Sequence, residues 1–209
     1  DGATEHDRAF GSAVHAGLAE LFHGKGLGVA EDALRAAYPV QLDPEDKAKT
    51  QENGLKLLAE FQAGANQNYG GYEVVQVEKA GTVKLNESVN FLVKPDVILK
   101  QKSSGEFYGS DHKSTKNSLS PQFWSQFEPA AWLSAQSAYI EQEYGSCSGV
   151  FINGISFGYR SRMYKGEPAG FHSNIERQLF NRNSLQIERW KEDALIWIGR
   201  IEEAKQKKV

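Results

Sequence analysis

The sequence predicts an α/β protein with a central mixed β-sheet flanked by helices, and three observations predict it. Apolar residues recur at helical intervals at both ends of the chain and in its middle. Five β-rich runs crowd between Tyr72 and Thr115, separated by glycines and polar turns. The resulting order of helices, strands, helix, strand and helix leaves one sheet for the helices to cover.

From Arg8 to Phe22, Phe10, Val14, Leu18, Leu21 and Phe22 recur at three- and four-residue steps, so this stretch reads as a helix that carries His15. A second helix is expected over Ala30 to Tyr38, closed by Pro39, and a third from Pro44 to Gln62, followed by a loop over Gly64 to Gly71. The pattern then changes. Tyr72 to Glu78, Thr82 to Leu85, Val89 to Val93, Asp96 to Leu99 and Glu106 to Tyr108 are strand-like and supply the expected sheet. Helical spacing returns from Pro121 to Tyr144 through Phe123, Phe127, Ala131, Leu133 and Tyr139. A strand at Gly149 to Asn153 and a long helix from Ser184 to Lys205 complete the reading. Trp124, Trp132, Trp190 and Trp197 fall beside other apolar residues and read as core.

A chain of 209 residues that is 40% hydrophobic can bury one sizeable core, so a single domain over residues 1–209 is expected. Asp1-Gly2-Ala3 holds no initiator methionine and a helical stretch follows at once, which suggests a trimmed N-terminus. Neither a membrane span nor a secretory signal is visible, and one cysteine, Cys147, excludes a disulfide framework and a cysteine-ligated iron–sulfur cluster. A cytoplasmic setting is the corresponding expectation. The net charge of -3 and the pI near 6.0 run against a partner held by phosphate charge alone. Any nucleic-acid contact therefore needs a local basic surface.

The stretch that carries chemistry is Val93-Lys-Pro-Asp96-Val-Ile-Leu99, a polar loop, and Glu106-Phe-Tyr-Gly-Ser-Asp111-His-Lys113. A hairpin built from these runs sets Asp96 and Asp111 side by side, because antiparallel neighbours lie only about 5 Å apart. Two carboxylates so close repel unless a cation lies between them, and a hard cation such as Mg²⁺ or Mn²⁺ suits oxygen ligands, water and a substrate phosphate. Lys113 follows Asp111 by two residues and so shares its face of the strand. These parts suffice for phosphodiester hydrolysis: the cation polarises the phosphoryl oxygen and acidifies a water, while the ammonium stabilises developing charge or orients the water. The acid-x-Lys triplet alone is weak, since Glu45-Asp46-Lys47 and Glu203-Ala204-Lys205 match it within charged surface segments. The two preceding β-runs are what distinguish Asp111-His112-Lys113.

With these residues in view, the chain resembles the PD-(D/E)xK nuclease superfamily, in the branch that includes the RecB nuclease domain, CRISPR-adaptation nucleases and phage-type exonucleases. In that branch a helix bearing G-x-x-x-H-x-x-L precedes the strands, and Gly11-Ser-Ala-Val-His15-Ala-Gly-Leu18 matches it. The likeness spans roughly Arg8 to Asn153. It implies a restriction-endonuclease-like core with His15, Asp96 and Asp111 as ligands of one or two Mg²⁺ or Mn²⁺ ions, Lys113 as the catalytic lysine, and the His112 backbone carbonyl as a further ligand. The branch also carries a glutamine and a tyrosine about four residues apart on the next helix. Gln136-Ser-Ala-Tyr139 is the nearest match, one residue short, which makes Gln136 the candidate. CRISPR-adaptation relatives hold an iron–sulfur cluster that one cysteine cannot ligate, so the resemblance favours a DNA exonuclease of phage or bacterial recombination, with an endonuclease of the same superfamily or a non-cutting nucleic-acid-binding module as the alternatives. DNA is then the substrate, a single-strand-annealing or recombination protein is a candidate partner, and an oligomer is allowed.

Two further readings complete the site. Glu78 closes the strand before the hairpin and is a candidate extra carboxylate. Tyr159, Arg160, Arg162, Tyr164 and Lys165, followed by Arg177 and Arg182, interleave aromatic and basic residues as a DNA-contacting surface does.

Overall fold

The computed structural model describes residues 4–163, 165–166 and 169–206. Three helices open the chain, α1 (Glu5–Phe22), α2 (Leu27–Ala37) and α3 (Gln51–Tyr69). They are followed by β1 (Tyr72–Val77), β2 (Gly81–Lys84), β3 (Asn90–Val93), β4 (Val97–Gln101) and β5 (Phe107–Thr115). After α4 (Pro121–Ser125) and α5 (Ala131–Tyr144) come β6 (Val150–Arg160), β7 (Gly170–Phe180) and α6 (Ser184–Gln206).

The main sheet has the order β1-β4-β5-β6-β7 and is mixed, as the sequence predicts: β5 and β6 are parallel and the other neighbours antiparallel. A parallel pair needs a long crossover, and α4 with α5 supplies it. β2 and β3 do not extend this sheet but pair with each other as a separate two-stranded sheet under α5 and α6.

Helices cover both faces of the main sheet. Phe10, Val14 and Leu18 of α1 share a core with Leu57, Leu58 and Phe61 of α3 and with Ile155 and Phe157 of β6. On the opposite face Leu133 of α5 packs with Val150 and Ile152, while Ala135 and Ile140 pack with Ile98 of β4. Side chains of β6 thus alternate between the two layers with the two-residue period of a strand. Fully burying a leucine such as Leu18 contributes about 1.5–3 kcal/mol, so α1 is fixed firmly by its apolar stripe.

Four expectations are corrected by local chemistry. The third helix starts at Gln51 rather than Pro44, because Asp46 accepts from the Ala48 and Lys49 N–H groups and Thr50 from that of Asn53, which holds residues 43–50 in turns. That helix continues through the expected Gly64–Gly71 loop to Tyr69, whose ring packs against Phe22 and Phe61. The single helix expected over Pro121–Tyr144 is two, with Pro129 in the break. Residues 170–180, given no element between the expected last strand and the terminal helix, form β7 at the sheet edge. Among the described residues, no helix is long and apolar enough to cross a membrane.

Candidate metal and phosphate site

The β4–β5 register pairs Val97 with Ser110, so one step outward Asp96 stands opposite Asp111. The His112 N–H of β5 donates to Asp96 Oδ2 at 2.8 Å, a contact between the hairpin's two acidic ends. Asp111 and Lys113 face α5, where Gln136 Nε2 donates to Asp111 Oδ1 at 3.1 Å and the Lys113 ammonium lies 2.5 Å from Asp111 Oδ2. That ammonium also sits 4.5 Å from the centre of the Trp132 ring. His112 faces the other way, into Phe22 and Phe61.

α1 brings His15 to this hairpin because helix and strand advance in step. His15 meets the His112 ring edge-on at 5.8 Å, Gly11 lies beside Ser114, and Asp7 lies 3.5 Å from Lys116. Four helical residues rise about 6 Å and two strand residues about 6.6 Å, so every fourth residue of α1 meets every second residue of β5. Thr4 and Asp7 cap the start of the helix reciprocally.

His15 Nδ1 lies 3.5 Å from Asp96 Oδ2, and Glu78 supplies a third donor: ligand atoms of His15, Glu78 and Asp96 all fall within 4.8 Å of one another. Asp111 does not join that set within the same distance. The compact donor set is therefore His15–Glu78–Asp96, with Asp111 and Lys113 beside it, instead of the His15–Asp96–Asp111 set that the resemblance implies. Glu78 reaches it from the end of β1, where its N–H donates to the Asp96 carbonyl at 2.8 Å and its backbone adopts φ 50°. A left-handed conformation is uncommon for a glutamate and is held here by the surrounding structure. The three donors, Gly11, Ser12 and Lys94 line a cavity of about 520 Å³. Lys94, which the sequence reading passed over, makes an ion pair with Glu78.

The electrostatics suit a cation. Burial raises the Asp96 carboxyl above its ordinary range despite His15, the His112 N–H and Lys113, and Glu78 adds to the rise. Burial likewise raises Asp111, with repulsion from Asp96 next in size. Both groups thus gain from a positive charge placed between them. Burial pushes the His112 imidazole down to about 3, so it stays neutral and contributes packing. One imidazole and two carboxylates form a donor set of the kind that holds a divalent ion, the oxygens suiting Mg²⁺ or Mn²⁺ and the imidazole the first-row transition metals.

The remaining candidates divide. Gln136 is at the site, held on Asp111, whereas Tyr139 points to Gln76 and not to the carboxylates. Tyr159 and Arg160 end β6, and Arg162 and Lys165 are exposed in the connection to β7. Lys113 pairs with Gly154 of β6, so Tyr159 lies five residues, roughly 16 Å, further along the same strand direction. Tyr164 lies outside the described residues. Arg177 and Arg182 make contacts within the fold. The Arg177 guanidinium lies 4.2 Å from the Phe151 ring centre and 4.9 Å from that of Tyr69, and it donates to the Asn68 carbonyl. Arg182 donates to the carbonyls of Phe127, Glu128 and Ala130. A cation beside aromatics, as at Arg177, serves an internal cation–π contact as readily as a phosphate.

A second group, His6, Asp43 and Asp46, also has donor atoms within 4.8 Å of one another. Lys49 and Lys116 already lie on Asp46, at 3.4 Å and 3.2 Å, and tie α1 to the 43–50 turn. No family model matches the chain. No curated protein matches it either. Among solved structures, one described as the crystal structure of SSO0001 is similar over 88% of this chain and 73% of its own, at 10% sequence identity and a TM-score of 0.36, a likeness too slight to bear on chemistry.

Proposed function

We propose that this chain is a divalent-metal-dependent nuclease that hydrolyses DNA phosphodiester bonds, acting from an end, in phage or bacterial recombination and repair. One observation carries the reading: an imidazole and two carboxylates converge within 4.8 Å on a cavity beside a second buried aspartate that bears a lysine. Carboxyls raised by burial beside a specific charge partner, in a cleft, are candidates for a functional site. Action on an end and the recombination setting rest on the resemblance of Gly11–Leu18 and the two aspartate-bearing runs to phage-type exonucleases.

His15, Glu78 and Asp96 would hold the ion, with Asp111 and the His112 carbonyl as further donors. A bound Mg²⁺ or Mn²⁺ would supply Lewis acidity at the phosphoryl oxygen and lower the pKa of a bound water. Gln136 fixes Asp111 by its amide N–H, which keeps that carboxylate aimed along β5. Lys113, half-exposed at the end of that contact, is placed to meet charge that develops on the phosphate. Tyr159, Arg160, Arg162 and Lys165 offer a stacking face and cations for strand beyond the scissile bond.

The test is digestion of linear and covalently closed circular DNA by the purified chain with Mn²⁺. Linear DNA shortens, the circle persists, and Asp111→Ala slows the reaction by about 10³ or more. DNA left uncut, or cut equally by Asp111→Ala, refutes the proposal, and equal attack on the circle makes the enzyme an endonuclease. Co-purification with a single-strand-annealing protein would identify the partner.

A further inference from the structure

Lys94 occupies a position that the reading above does not use. It stands in the short link between β3 and β4, after buried Val93 and before Pro95, whose ring restricts the backbone at both positions. The base of the side chain is therefore restricted by the backbone, while 54% of the side chain is exposed. That head rests on Glu78, one of the three donors of the proposed ion site, and lines the same cavity. An ammonium on a metal-ligand carboxylate competes with the metal for the same lone pairs.

A charge count shows what the site can take up together. With their carboxyls ionised, Glu78, Asp96 and Asp111 bring three negative charges to the site, Lys94 and Lys113 bring two positive ones, and a ligating His15 brings none. The cluster alone is one negative charge from neutrality. One divalent cation leaves it one positive charge in excess, and one phosphodiester restores neutrality. The count closes with Lys94 retained in the cavity, and once the ion takes Glu78 the Lys94 ammonium is left beside the phosphodiester.

Resting on the nuclease reading, we propose that Lys94 is an exchangeable cation. It holds Glu78 until a divalent ion takes that carboxylate, and it then binds a non-bridging oxygen of the substrate phosphate, so that one ion and one phosphodiester are taken up together. Lys94 is thereby a substrate-binding residue whose contact depends on the metal.

The exchange makes opposite demands on two ligands, and this is what the experiment reads. Mn²⁺ binding in the absence of DNA is measured by titration calorimetry for the wild type, Lys94→Met and Lys94→Arg. Lys94→Met keeps the length of the side chain and removes its charge, so it binds Mn²⁺ about two- to fivefold more tightly. The dependence of kcat/KM for linear DNA on NaCl is then measured for the same three proteins. Its log–log slope becomes shallower by about one in Lys94→Met and is restored in Lys94→Arg. Unchanged or weaker Mn²⁺ binding by Lys94→Met overturns the competition, and an unchanged salt slope overturns the phosphate contact. A wild type that binds Mn²⁺ and cuts DNA while Lys94→Met matches it in both measurements refutes this inference alone. A wild type that neither binds Mn²⁺ nor cuts DNA refutes the nuclease reading and this inference with it.

Discussion

Replacing Asp96 by asparagine separates stability from function at the proposed site. Burial raises the Asp96 carboxyl above its ordinary range, so the charged form is the one that the folded chain disfavours. An amide of the same shape keeps an oxygen for the His112 N–H, which lies 2.8 Å from Oδ2 in the wild type, and carries no charge. The sign follows from linkage. Between the unfolded and the higher folded pKa, the folded chain holds a proton that the unfolded chain has released, so wild-type stability falls as pH rises through that window and stays lower above it. The substituted amide does not titrate. With EDTA present, Asp96→Asn therefore gains on the wild type as pH rises from about 4, the ordinary carboxylate range. The gain reaches on the order of 1 kcal/mol, or about 2–4 °C in melting temperature for a chain of this size. Mn²⁺ reverses the order. At a hundredfold excess over its Kd it stabilises the wild type by about 2.7 kcal/mol, roughly 5–11 °C, and leaves the variant nearly unmoved. Melting curves across pH, with and without Mn²⁺, read both effects. An Asp96→Asn protein that is less stable than the wild type at every pH in EDTA, or that Mn²⁺ stabilises equally, refutes the reasoning.

Two further substitutions test how the fold holds the site. Arg182→Ala removes the guanidinium from the carbonyls of Phe127 and Glu128, now bonded at 3.0 Å and 2.8 Å, while Phe127 still accepts from the Ala130 N–H, and costs roughly 0.5–1.5 kcal/mol in urea unfolding. Its affinity for a labelled oligonucleotide, measured by anisotropy under native conditions, is unchanged, and a large loss there would restore Arg182 to the DNA-binding surface. Gly17→Ala places a methyl 2.6 Å from Leu58 Cδ1 and 3.0 Å from the Ala30 carbonyl, at a fully buried crossing of α1 with α2 and α3. Overpacking of about 1–3 kcal/mol outweighs the helix-propensity gain of up to about 1 kcal/mol, and the shift of α1 weakens Mn²⁺ binding through His15. Gly11→Ala meets only Ser114 Oγ at 3.4 Å and serves as the control that retains stability.

What could be read from the sequence is what one element decides by itself. The stripe of Phe10, Val14 and Leu18 determines which face of α1 is buried and so where His15 emerges, and the two-residue period of β5 joins Lys113 to Asp111. The hairpin signal was enough to bring Asp96 opposite Asp111. β7 was not legible because it is an edge strand with polar residues on much of its surface, so its apolar alternation is weak. The fold contacts of Arg177 and Arg182 were not legible, because the residue types that bind nucleic acid are also those that brace aromatics and carbonyls.

Glu78 and Lys94 belong to a different category. Neither lies on a period that would assign it to the cavity. Glu78 arrives because β1 pairs with β4, so that its N–H meets the Asp96 carbonyl, and because its backbone turns to φ 50° immediately afterwards. Lys94 arrives because the chain crosses there from the small sheet to the main one. Residues placed by pairings between distant segments are also those that any change of pairing would scatter. A donor set drawn from α1, the end of β1 and the start of β4 therefore exists only in the fully folded chain, and a cation that binds it stabilises all three connections at once.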